Sequence, residues 1–93
     1  MFETILEKVI LYFEEEIDDP DLKITKDSNL MGDLSLSSLE MLKSLVYLET
    51  ELEVEIPERL LRRMITVGDV TQVICEVMEK NYGQDKGVDA VVL

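Results

Sequence analysis

Three segments of this chain place apolar residues at helical spacing, and a short chain built on such stripes has to bury helix against helix. In the first, Phe2, Ile5, Leu6, Val9, Phe13 and Ile17 fall on one side, with Glu3, Glu7, Lys8, Glu14 and Glu15 largely opposite. Asp18-Asp19-Pro20 ends this helix, because proline cannot continue the hydrogen-bond ladder and disfavours helix in the residue before it. The second segment, Ser38 to Glu53, sets Met41, Leu42, Leu45, Leu48 and Leu52 on a core-facing stripe. In the third, Val70, Val73, Ile74, Val77 and Met78 follow the same period and predict a helix from Val67 to Lys80. Val54 to Pro57 is too short for a strand without a partner and reads as a connector. Glu58 to Met64 predicts a short helix with Leu60, Leu61 and Met64 turned inward.

Two of the helix starts are written in local chemistry. Ser37 and Glu40 stand in the S-x-x-E spacing of a capping box, in which the serine hydroxyl takes the N3 amide and the glutamate returns to the N-cap amide. Thr66 and Asp69 repeat the device with a shorter acid. Ser38 then occupies the first helical position, its hydroxyl in solvent beside free backbone N–H groups and the positive end of the helix dipole. A phosphate attached there is favourably placed. Leu39 and Val46 fall outside the core stripe and share a side with Lys43, Glu49, Thr50 and Glu53, next to Ser38. Apolar residues on a solvent face beside such a position imply a docking surface for another protein.

Between the first two helices, Asp21 to Ser37 is polar with isolated apolar residues. We expect an ordered connection pinned to the core by Ile24, Leu30 and Leu34. Asp27, Asn29 and Gly32 fit part of a calcium loop, but Met31 and Ser38 occupy positions that require oxygen ligands including a bidentate glutamate, which excludes an EF-hand. Met31, Met41, Met64 and Met78 read as core filler. Asn81 to Leu93 shows no helical period and reads as a flexible tail behind a domain of residues 1–80, although Val88, Ala90, Val91, Val92 and Leu93 are apolar for one.

Composition narrows the function. A length of 93 residues implies one domain, and 46% hydrophobic residues with only 5% aromatic support a small aliphatic core. Nine basic against twenty-one acidic residues give a net charge of −12, which speaks against nucleic acid and for basic patches on partner proteins. Cys75 is the one cysteine and histidine is absent, so neither a disulfide framework, a metal site nor a histidine-activated nucleophile is expected. With no apolar leader and no long apolar run, the chain reads as a cytoplasmic, membrane-free monomer. Arg59, Arg62 and Arg63 form a basic cluster, read first as local charge balance and second as a contact for an acidic partner.

At Ser37-Ser38-Leu39 the sequence resembles the acyl carrier proteins and related peptidyl carrier domains, in which a D-S-L tripeptide opens the second helix. The resemblance continues through Glu49 to Leu52, through Val54-Glu55-Ile56-Pro57, similar to the family's F-x-I-x-I-P, and through Thr66-Val67-Gly68-Asp69-Val70, similar to its T-V-G-D-V. It covers residues 2 to 80, and the joint spacing is far more specific than any one piece. It departs from the family where Ser37 replaces the usual aspartate and Ser35 a usual glycine.

The resemblance implies an all-α fold, a small four-helix carrier bundle of three longer helices and one short, with a long first loop. It implies 4′-phosphopantetheine from coenzyme A, carried on Ser38 and charged with acyl or aminoacyl groups as thioesters. Ser37 and Glu40 would fix the helix start, and Leu39, Lys43, Val46, Glu49, Thr50 and Glu53 would form the recognition surface. Its partners would be a phosphopantetheinyl transferase, an acyl- or aminoacyl-activating ligase and downstream synthase enzymes. Lys43 and Thr50 stand where many members carry acids, which points to a specialised pathway. The alternative is an unmodified acidic interaction module with the same fold. An enzyme in its own right is disfavoured, since no catalytic pair or phosphate-binding glycine loop is present.

Overall fold

The first helix, α1, spans Phe2–Ile17 and ends where Asp18 turns into the left-handed region (φ 53°) and returns its N–H to the Glu14 carbonyl at 3.0 Å. In the computed structural model, which describes residues 1–84, α2 follows at Ser38–Leu52, then a short 3-10 helix at Glu58–Arg63, and α3 at Val67–Gln84. This is the small all-α bundle expected. Among the described residues the only strand-like pairing is one antiparallel bridge between Asn29 and Thr66.

Hydrophobic burial on three stripes makes the core. Ile5, Leu6, Val9 and Phe13 of α1 meet Val70, Val73, Ile74 and Val77 of α3, with Leu45 and Leu48 of α2 closing the third side. Ile24, Leu30 and Leu34 pin the long connection as expected. The 3-10 helix lies against α3, with Leu60 and Leu61 half-buried and Met64 buried. Cys75 is buried as a small apolar group, and burial, chiefly, pushes its thiol above the ordinary range.

The connection is held by its own polar atoms. The Asn29 N–H reaches Asp33 Oδ2 at 2.7 Å, the Gly32 N–H reaches Asn29 Oδ1 at 2.7 Å, and the Thr25 N–H reaches Ser28 Oγ at 2.9 Å. It is stitched to the start of α3 by Leu30 N–H to Ile65 O, Val67 N–H to Ser28 O and Gly68 N–H to Lys26 O. The last approach explains Gly68: a Cβ there would lie 2.9 Å from the Lys26 carbonyl oxygen.

Three expectations need correction. Leu42 is 46% exposed and outside the core; on the α2 wheel it sits at the stripe's edge, and α1 and α3 are covered by the Leu45–Leu48 side, which also buries Ser44. Met31 is exposed, because Leu30 and Leu34 already fill the space beneath the loop. The final helix runs on through 81–84, since a lone Gly83 weakens a helix by about 1 kcal/mol without breaking it. Residues 85–93 of the expected tail lie outside the described residues.

Candidate functional site

The start of α2 is built by local hydrogen bonds. Ser37 is extended (φ −80°, ψ 167°); its Oγ accepts the Glu40 N–H at 3.1 Å and its own N–H donates to Glu40 Oε1 at 2.8 Å. The Met41 N–H donates to the Ser37 carbonyl at 2.9 Å, so the first turn is closed by both side chain and backbone. What remains is Ser38 at the first helical position, exposed, with the Ser38 and Leu39 N–H groups finding no acceptor among the described residues. These donors and the aligned helix dipole favour a phosphate ester on the Ser38 hydroxyl, so the residues fit a phosphopantetheine group chemically.

The chain reaches this turn through strain. Ser35 holds φ 57°, the left-handed region that glycine adopts without cost, and Leu36 follows with its N–H on the Leu30 carbonyl at 3.0 Å. The expected recognition residues divide in the structure. Leu39 is 64% and Val46 60% exposed, and Leu42 joins them at i+3 and i−4 to make an apolar stripe of three residues beside Ser38, one more than the helical spacing predicts. Thr50 is exposed and donates its hydroxyl to the Val46 carbonyl at 3.1 Å, and Glu53 is the left-handed cap of α2 (φ 56°). Glu49 is half-buried, its Oε2 accepting the Ile56 N–H at 2.7 Å, so it anchors the connector to α2. Lys43 lines a cleft between α2 and α1.

That cleft involves residues the sequence reading passed over. Tyr12 of α1 donates its hydroxyl to Ser44 Oγ at 3.3 Å, Ser44 donates to the Glu40 carbonyl at 2.9 Å, and the Tyr12 ring stacks on Tyr47 with centroids 4.7 Å apart. The serine in a helix interior at the edge of an apolar stripe was the available signal. Between the 3-10 helix and α3, Arg63 makes a bidentate pair with Glu76 at 2.9 and 2.7 Å, joined by Gln72, which pulls the Glu76 carboxyl down to about 2. Local charge balance therefore accounts for Arg63.

The comparisons agree with this geometry. A family model described as a phosphopantetheine attachment site matches residues 7–74. An acyl carrier protein of Clostridium perfringens is 41% identical over 58 residues, which is 62% of this chain and 76% of the relative. An acyl carrier protein of Prochlorococcus marinus is 32% identical over 72 residues, 77% of this chain and 90% of the relative. The class so defined is a helical domain that bears a covalent 4′-phosphopantetheine. The chain belongs to the acyl carrier protein family.

Proposed function

We propose that Ser38 is the attachment point and that the protein carries acyl or aminoacyl groups on it for partner enzymes in a specialised biosynthetic pathway. The observation that carries this reading is the exposed Ser38 hydroxyl at a capped helix start whose next two N–H groups are unpartnered among the described residues. In the modification step the Ser38 oxygen forms a bond to the pantetheine-side phosphorus of coenzyme A as the pyrophosphate bond breaks, adenosine 3′,5′-bisphosphate leaves, and a transferase takes the hydroxyl proton. The thiol of the bound group supplies the thioester chemistry. Ser37 and Glu40 hold the first turn of α2 in place, so that the attached group leaves the helix in one direction.

Recognition would run along Leu39, Leu42 and Val46, with Thr50 and Glu53 at its far end. Exposed apolar side chains within a strongly acidic surface suit partners that present an apolar socket ringed by basic residues. Lys43 and Thr50 dilute that acidity, which favours dedicated partners over general fatty acid synthesis. Tethering raises the effective concentration of the cargo in each partner's site, so catalysis is left to the partners.

Intact mass after incubation with coenzyme A and a promiscuous phosphopantetheinyl transferase tests the assignment. One phosphopantetheine adduct is expected on the natural protein and none on Ser38→Ala. A folded sample that resists several transferases would instead be an unmodified interaction module.

A further inference from the structure

The seam between α1 and α2 differs from the rest of the bundle. The α1 backbone lies close along α3, whereas α2 is met through side chains, the Tyr12–Tyr47 stack and the Tyr12–Ser44 hydrogen bond. The helices run antiparallel here, with Glu16 and Ile17 facing Glu40 and Lys43 at one end and Lys8 facing Glu51 and Leu52 at the other. Two clefts open on either side of the stack and share Tyr12 as a wall, one of about 360 Å³ and one of about 200 Å³.

We propose that this seam is the resting seat of the loaded arm, and that it favours cargo carrying an ammonium group, such as an aminoacyl thioester. The proposal rests on Ser38 as the attachment point. The larger cleft is lined by Leu36 and Glu40, two residues to either side of Ser38 in the chain, so it reaches the first turn of α2. From Ser38 to Leu52 the seam runs about 20 Å along α2 at the helical rise per residue, a length comparable to the extended arm.

The lining decides the cargo. Tyr12 and Tyr47 offer aromatic faces, and Glu15, Glu16 and Glu51 stand around them, opposed by Lys8 and Lys43. Glu51 above all, then partial desolvation, then Glu15, the Tyr12 phenol and Glu16, push the Tyr47 phenol above its ordinary value, so the field at the stack is negative. An ammonium group gains from both the aromatic faces and the carboxylates. A carboxylate-bearing cargo is repelled, and a bare alkyl chain would desolvate the carboxylates without return.

Glycyl and propionyl differ by an ammonium for a methyl group at nearly constant shape. Both coenzyme A thioesters would be loaded by a promiscuous transferase, adducts checked by intact mass, and backbone amide shifts and thioester half-lives followed. For the glycyl form we expect shifts at Tyr12, Ser44, Tyr47 and Glu51, and a half-life several-fold longer than in a Glu15→Gln, Glu51→Gln double variant. The propionyl form should show neither the seam shifts nor a dependence on those substitutions. Shifts confined to the neighbours of Ser38, or equal seam shifts and half-life effects for both cargoes, would overturn the proposal. Failure to load either thioester would remove Ser38 as the attachment point, and the seat with it.

Discussion

Ser35, three residues before Ser38, holds a left-handed backbone without being glycine, at φ 57°. An L side chain in that region costs about 1–2 kcal/mol, while glycine gives back part of the gain through its looser unfolded chain. Ser35→Gly should therefore stabilise the protein by up to about 1 kcal/mol, read as a higher urea midpoint with an unchanged slope. A lower midpoint would mean that the side chain itself has a role. Ser37 tests the neighbouring feature. Loss of its hydroxyl in Ser37→Ala should cost about 1 kcal/mol, whereas Ser37→Asp retains a cap and should fall near the natural protein in the same titration. The capping box was legible in the sequence because it spans four residues and needs no tertiary partner. The burden on Ser35 was visible only as a departure from the family's glycine, since a left-handed φ has no periodic signature. Leu42 was misread for a related reason: a helical wheel gives angles, not the positions of α1 and α3, and here they leave Leu42 46% exposed.

At the scale of elements, the long connection and α3 hold each other in register. Gly68 lies where the Lys26 carbonyl accepts its N–H at 2.7 Å. Gly→Ala inside a helix ordinarily gains about 1 kcal/mol. Here the added Cβ would stand 2.9 Å from a backbone oxygen that the Gly68 N–H itself holds close, and overpacking of that kind costs about 1–3 kcal/mol. Gly68→Ala should thus destabilise, and increased amide exchange at Gly68 and Val67 would locate the damage; a more stable variant with unchanged exchange would refute it. A charged inter-element tie joins Arg63 to Glu76. Because the folded carboxyl lies near 2, below its ordinary value of 4.5, the pair's contribution is present above 4.5 and fades as pH falls toward 2. Arg63→Gln should lower the thermal midpoint at neutral pH, raise the Glu76 pKa toward the ordinary value by NMR, and leave no difference in midpoint at the acid end. An equal deficit at every pH would assign the loss to packing. Helix positions were readable from the 3.6 period, but the pairing of Arg63 with Glu76 and the Tyr12–Tyr47 stack join segments far apart in the chain, and no local pattern announces them.

For the whole molecule, charge opposes what burial achieves. The fold closes a small core of Leu, Ile and Val under a surface that carries a net charge of −12, and among the described residues only two ion pairs, Lys26–Asp27 and Arg63–Glu76, offset it. Like charges compressed onto a small body repel one another more in the folded chain than in the expanded one, and salt at physiological strength screens them beyond about 8 Å. The same charge would attract the basic partners proposed above, and such attraction is screened as well. Added sodium chloride should consequently act in opposite directions: the thermal midpoint rises between low and physiological ionic strength, while the rate of transferase modification at limiting transferase falls over the same range. Both are measurable on one preparation, by calorimetry and by timed intact mass. If the midpoint were flat in salt, repulsion would not be the term limiting stability. A modification rate that did not fall would mean that the transferase docks chiefly through Leu39, Leu42 and Val46, with the surrounding carboxylates of minor weight.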